Sequence, residues 1–133
     1  MSLRSFLGEM HKKHQIMEVK DEVSPRFEAS ALMKEFDSGP ILYFDNVKDR
    51  ETKIVDGICG TRQRLSWALG VNTDALYQKL IEAWRTPTTP KKVKGGPVNE
   101  VVERARLSKL PVLTHFERDA GQYITSAIVS ARN

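Results

Sequence analysis

The stretch "GPILYFDNVKDRETKIVDGICGTRQRLSWALG", residues 39–70, contains two strand patterns, a polar turn and a capped helix in that order. Pro40 to Val47 alternates as a strand with two usable faces, "KDRET" reads as a polar turn, and a second strand is expected from about Ile54 to Cys59. Thr61 follows Gly60 in the position of an N-cap, and Gly70 closes the helix it opens, with Leu65, Ala68 and Leu69 as the apolar face. Strands joined by a turn and followed by a helix point to a mixed helix and sheet domain rather than a bundle or a sandwich.

Upstream, Ser2 can cap a helix whose apolar residues Leu3, Phe6, Leu7 and Met10 recur at helical spacing, ending near Gln15. Ile16 to Val23 alternates weakly as a short strand, and Ser24-Pro25 reads as the start of a helix running from Pro25 to Phe36. Downstream, Thr73 reads as the cap of a helix to about Arg85, with Leu76, Tyr77, Leu80, Ile81 and Trp84 expected inward. The Pro, Gly and Lys stretch from Thr86 to Pro97 is the one strong boundary signal. The domains read as 1–86, an N-terminal α+β domain, then a linker over 87–97, then a second unit over 98–133 that begins and does not finish. Its features are a charged segment from Asn99 to Arg106, a short "LPVL" strand and a final strand from Gln122 to Ala131. That last strand is expected to enter a sheet whose other strands lie elsewhere, in further sequence or in another copy of the chain.

At 133 residues, 40% hydrophobic and 29% charged, the composition is that of a soluble globular protein. No apolar run approaches a membrane span, and Arg4, Glu9, Lys12 and Lys13 interrupt the place where a signal peptide would need an apolar core, so a cytoplasmic location is expected. The net charge of +4 is spread among interleaved acids, and only "TPKKVKGGP" (Thr89 to Pro97) is a cluster of one sign. It has no aromatic residues to stack on bases and reads as a solvated linker, so no nucleic-acid partner is expected.

Four constellations invite chemistry. His11 and His14 lie three apart on the first helix, a spacing that can present two imidazoles to a metal, but no third ligand is evident and the pair reads as solvated. Cys59 reads as a small core residue of its strand rather than a nucleophile. "GICGTRQR" (Gly57 to Arg64) runs a glycine turn into a helix start with Arg62 and Arg64, which serves either as a structural turn or as an anion site. "HFERDAGQY" places His115 and Asp119 in one loop with mixed charges, common on any surface and equally compatible with a site. No Ser-His-Asp order, HExxH or paired cysteines appear, so the chain assembles no self-contained active site.

Five stretches together resemble the UbiD-type decarboxylases: "LRSFL" near the start, "GPILYFDNVKD" (Gly39 to Asp49), "GICGTRQRLSWALG" (Gly57 to Gly70), "GGPVNEVV" (Gly95 to Val102) and "LPVLTHFERDAGQYIT" (Leu110 to Thr125). They occur in family order and span almost the whole chain. The resemblance implies the front part of a larger enzyme: the N-terminal α+β domain followed by the first strand of a split-barrel flavin-binding domain. It also implies reversible removal of CO₂ from α,β-unsaturated or aromatic acids by prenylated FMN, whose iminium ring serves as the electron sink, with a divalent metal (manganese) and potassium. The family's catalytic Arg, paired Glu and metal-binding residues match no position here, so no catalytic residue is carried over. Thr125 alone falls where family members approach the flavin phosphate, as a hydroxyl donor or as a strand threonine bonding its neighbour.

Three functions are therefore in view. The first is the N-terminal portion of a carboxy-lyase, inactive alone and partnered by the remainder of that polypeptide or by another copy of itself. The second is a stand-alone binding or regulatory module derived from the same domain. The third, a basic RNA-associated domain, is marked by a salt-sensitive shift with RNA.

Overall fold

The computed structural model describes residues 2–124 of the chain. Ser2 caps the first helix, α1 (Leu3–Lys12): its hydroxyl accepts from the Ser5 amide at 3.2 Å, and Ser5 returns the bond to the Ser2 amide at 2.9 Å. The helix turns its Phe6 and Met10 stripe inward and leaves Leu3 exposed. It stops before Gln15 because His14 takes a left-handed conformation, φ 54°, and the Gln15 amide folds back onto the Met10 carbonyl.

The chain then enters β1 (Ile16–Val19), which runs parallel to β2 (Ile41–Phe44). β2 is also antiparallel to β3 (Ile54–Asp56), so the sheet order is β1-β2-β3. Parallel neighbours need a crossover, and residues 20–40 supply it through α2 (Glu28–Glu35). The alternation of side chains assigns each face of the sheet a cover. Leu42 and Phe44 point to the α2 side, where they pack with Val23, Ala29 and Val47, joined by Met17, Val19, Leu32 and Ile54. Ile41 points the other way and packs with Phe6 and Met10, joined by Val55 of β3 and by Trp67 and Ala68 from beyond it. Two apolar clusters thus sandwich one small sheet, confirming the α+β reading.

α3 (Arg62–Leu69) starts where Thr61 accepts from the Arg64 amide at 3.2 Å and ends at Gly70, left-handed with φ 67°. A 3₁₀ turn (Thr73–Ala75) leads into α4 (Leu76–Arg85), and two further 3₁₀ turns, Pro97–Asn99 and Leu107–Lys109, lie in the tail.

Several expectations are corrected. The strands are shorter than their patterns, ending at Val19 and Asp56. Cys59, expected in a strand core, is exposed in the turn after β3. α2 begins at Glu28 rather than Pro25 because Phe27 takes a positive φ of 69° and the backbone of Pro25 and Phe27 bonds to Thr114 instead. In α3 the buried positions are Arg64 and Ser66, not Leu65 and Leu69, because a guanidinium fills the space between the helix and the glycine turns. Thr73 does not cap α4: it sits inside the 3₁₀ turn, and its hydroxyl lies 3.1 Å from Gln63 Oε1. Of the five α4 residues expected inward, only Leu76 is buried. The "LPVL" stretch forms no strand and is held instead by a single parallel bridge between Thr114 and Arg26. Of the expected last strand, Gln122 to Ile124 are described and form no strand, and the rest lies outside the described residues.

Candidate functional site

The tail returns to the domain at Leu110–His115. Leu113 packs against the Leu42 and Phe44 cluster, and Thr114 forms an isolated bridge with Arg26, in the turn Pro25–Phe27. The Phe27 amide donates to the Thr114 carbonyl at 3.0 Å, and the Thr114 amide to the Pro25 carbonyl at 3.1 Å. Pro25 is suited to this edge role because it has no amide of its own to satisfy while its carbonyl still accepts. The Ser30 hydroxyl, on the first turn of α2, lies 2.8 Å from the Phe27 carbonyl oxygen and 3.3 Å from that of His115, so it ties the helix start to the returning segment.

His115 emerges from this anchor between two aromatic rings, with centroids 6.5 Å from Phe116 and 6.4 Å from Tyr123, both tilted. Its side chain forms a ridge between two grooves. One, of about 850 Å³, runs between the loop and α2 past Phe27, Ser30, Lys34 and Glu117. The other, of about 450 Å³, lies between β3 and the tail and is lined by Met33, Ile54, Val55, Leu110, Tyr123 and Ile124, with Lys53 and Asp56 at its polar edge. The Lys53 ammonium is engaged by the Asp45 carboxylate, and that hydrogen bond, with the attraction between the two charges, holds its pKa above the ordinary lysine value. The group is exposed to solvent, so this is a local preference and not a stability term.

Asp119 does not face His115 as a partner. Its Oδ2 accepts the Phe116 amide at 2.9 Å, and its own amide donates to the Phe116 carbonyl at 3.1 Å, which makes it the closing residue of a turn. Gln122 braces the same loop, its Nε2 donating to the Val112 carbonyl at 2.9 Å. The mixed-charge loop is therefore shaped by its own polar groups, leaving His115, Phe116, Tyr123 and Ile124 displayed at the rim.

The other sequence candidates lie elsewhere. His11 Nε2 is 3.5 Å from Glu18 on β1, and among the described residues no three potential metal ligands come together. Arg64 is buried and donates to the carbonyls of Gly39 and Gly57, so its fork is used by the fold. Arg62 donates to the Tyr77 hydroxyl and stacks over that ring at 5.0 Å. These contacts resolve the choice left open for "GICGTRQR" in favour of a structural turn. Thr125 lies outside the described residues, one position beyond Ile124. What the sequence reading missed is the seat of the tail at Pro25–Phe27. The one available signal was Ser24-Pro25, whose proline suits an unpaired edge as well as a helix start.

The family description 3-octaprenyl-4-hydroxybenzoate carboxy-lyase N-terminal domain matches residues 7–84, and the Rift-related domain of the same carboxy-lyase matches residues 91–133. Among curated relatives, the anhydromevalonate phosphate decarboxylase of Methanosarcina mazei is 39% identical over 130 residues, covering 97% of this chain and 30% of that protein. Among solved structures, the UbiD-class enzyme HmfF of Pelotomaculum thermopropionicum, in an evolved dimeric form with prFMN, superposes with a TM-score of 0.86 at 36% identity, covering 93% of this chain and 30% of that one. The vanillic acid decarboxylase of Sedimentibacter hydroxybenzoicus, in its closed form, gives a TM-score of 0.78 at 26% identity, covering 92% of this chain and 29% of that one. The chain thus spans about 30% of the length of the relatives it matches.

Proposed function

The chain belongs to the UbiD family of carboxy-lyases, and from that premise we propose that it is the N-terminal portion of an enzyme that adds or removes CO₂ on unsaturated or aromatic carboxylic acids with prenylated FMN, the 133 residues being inactive alone. The observation that carries this reading is the succession of two family domains in order, 7–84 and then 91–133, over a chain that covers only 30% of its relatives. On this reading residues 1–86 are the N-terminal domain, 87–97 a linker and 98–133 the start of the split-barrel flavin domain, anchored to the first by Leu113 and Thr114. Its partner is the remainder of a UbiD-type polypeptide or another copy of the chain. No described helix is long and apolar enough to cross a membrane, and the proposal places the protein in the cytoplasm.

Prenylated FMN supplies the electron sink when bound. The described residues do not by themselves fit it. The groove that Tyr123 and Ile124 enter offers one cation, Lys53, already engaged by Asp45, together with the Asp56 carboxylate and an apolar wall. One engaged cation beside a carboxylate is a poor cradle for a dianionic phosphate. This chain's share of the flavin site is therefore proposed to be the Thr125 hydroxyl, donating to a phosphate oxygen, while the metal and potassium are held elsewhere in the enzyme. Titration of the chain with FMN, followed by flavin fluorescence, is expected to show affinity weaker than roughly 100 μM, since one or two hydrogen bonds do not offset the cost of association. A micromolar site abolished by Thr125→Ala would contradict this division of labour.

A further inference from the structure

Between Ser24 and Glu28 the chain holds one conformation while its residues suit another. Phe27 has φ 69° and ψ −40°, and across it the Glu28 amide donates to the Arg26 carbonyl at 2.9 Å. A bond between residues two apart with a positive φ at the centre makes a γ-turn of the rare, strained kind. At a residue other than glycine such strain persists only where neighbours hold it. The neighbour here is the tail: the Phe27 amide donates to the Thr114 carbonyl at 3.0 Å, and the Thr114 amide to the Pro25 carbonyl at 3.1 Å. The two sides of this seat belong to different units, since Phe27 lies in the stretch matched by the family's N-terminal domain and Thr114 in the stretch matched by its Rift-related domain.

The parts of a longer helix already stand in place. The Ser24 hydroxyl accepts from the Arg26 amide at 3.1 Å, and the Glu28 carboxylate accepts from the Ser24 amide at 2.8 Å, as an N-cap serine and a nearby glutamate serve a helix with proline at its first position. The Ser24 carbonyl, however, takes its bond from Ala29, five residues on, at 3.1 Å, where an α-helix would use Glu28, four residues on. Phe27 is the extra residue in that wide turn. With Phe27 helical, Glu28 would donate to Ser24 and Ala29 to Pro25, the same carbonyl that Thr114 now uses. The Ser24 hydroxyl would then serve the Phe27 amide. Both backbone groups that Thr114 leaves thus find a partner in the helix, and the Ser30 hydroxyl keeps the Phe27 carbonyl. We propose that the start of α2 is a two-position latch between the two domain units. With Thr114 seated, Phe27 is held in its γ-turn and the helix begins at Glu28. When Thr114 leaves, Phe27 relaxes and the helix begins at Pro25. The strain at Phe27 favours release, so the junction opens and closes reversibly and the length of α2 follows its state.

Phe27→Gly and Phe27→Ala test the latch in the 133-residue chain. Both delete the ring, so their difference isolates the backbone: glycine accepts a positive φ and weakens a helix, whereas alanine resists the turn and favours the helix. By native-state amide hydrogen exchange, the Thr114 amide is expected to be protected roughly tenfold more in the glycine variant than in the alanine variant. In Thr114→Pro, which removes that amide, the Cα chemical shifts of Arg26 and Phe27 are expected to move to helical values while those of β2 stay unchanged. Equal protection in the glycine and alanine variants overturns the proposal. So do Arg26 and Phe27 shifts in Thr114→Pro that keep their wild-type values or fall to those of a random coil.

Discussion

Replacing Arg64 with methionine will destabilise the folded chain by about 3 kcal/mol and lower its melting temperature by roughly 10 °C. Arg64 is 2% exposed, and its two terminal nitrogens donate to the carbonyls of Gly57, in the turn after β3, and Gly39, in the loop before β2. One side chain therefore fastens α3 to both approaches to the sheet. Methionine preserves much of the stem's packing but leaves the Gly39 carbonyl without its donor and the Gly57 carbonyl with the Gly60 amide alone. Hydrogen bonds to a charged group are each worth about 1.5 to 3 kcal/mol, and against their loss stands the relief of no longer burying a guanidinium, whose Nε has no partner among the described residues. The first effect wins because two bonds to a charged donor are lost at once, but the relief keeps the loss nearer ~3 than ~6 kcal/mol. Arg64→Lys should fall in between, because an ammonium group has no planar fork to span both oxygens. Urea unfolding followed by circular dichroism measures both. A loss below about 1 kcal/mol for the methionine variant would show that the clasp contributes nothing beyond packing.

Truncation after Lys109 will leave a folded domain that is about 2 to 3 kcal/mol less stable. The removed segment contributes Leu113 to the larger cluster, a pair of backbone hydrogen bonds between Thr114 and Pro25–Phe27, and the His115 carbonyl beside Ser30. Among the described residues it contributes none of the most buried side chains: Phe44, Met10, Ile41 and Leu42 all precede it. Each hydrogen bond is worth about 1 kcal/mol net and the partly buried leucine about as much again, while the domain retains its sheet and both covers. Complete unfolding would place the tail inside the first domain's core. An unchanged midpoint would mean that the seat at Pro25–Phe27 is a contact without energy.

Both variants bear on how far the sequence could be read. The strands, the caps at Ser2 and Thr61 and the close at Gly70 were legible because each rests on local chemistry: alternation, a hydroxyl facing free amides, a left-handed glycine. The role of Arg64 was not, because its partners lie 25 and 7 residues away and both are backbone oxygens, which leave no mark in the choice of side chain. The same reason hid the start of α2, where Phe27 holds φ 69° so that its amide can meet Thr114. The face of α4 was read correctly as apolar and wrongly as inward, since periodicity reports that a stripe exists and not what covers it. At the candidate site "HFERDAGQY" stands out as a group, but its pattern does not show that Asp119 closes a turn, leaving His115 and its two aromatic neighbours displayed.

Assaying CO₂ release decides whether this chain is one portion of a carboxy-lyase, inactive alone. The purified 133-residue chain would be incubated with prenylated FMN and cinnamate-like or hydroxybenzoate-like acids. The expected result is no release above the cofactor-only control. Turnover that depends on both the chain and the cofactor, and disappears when the cofactor is removed, would contradict it.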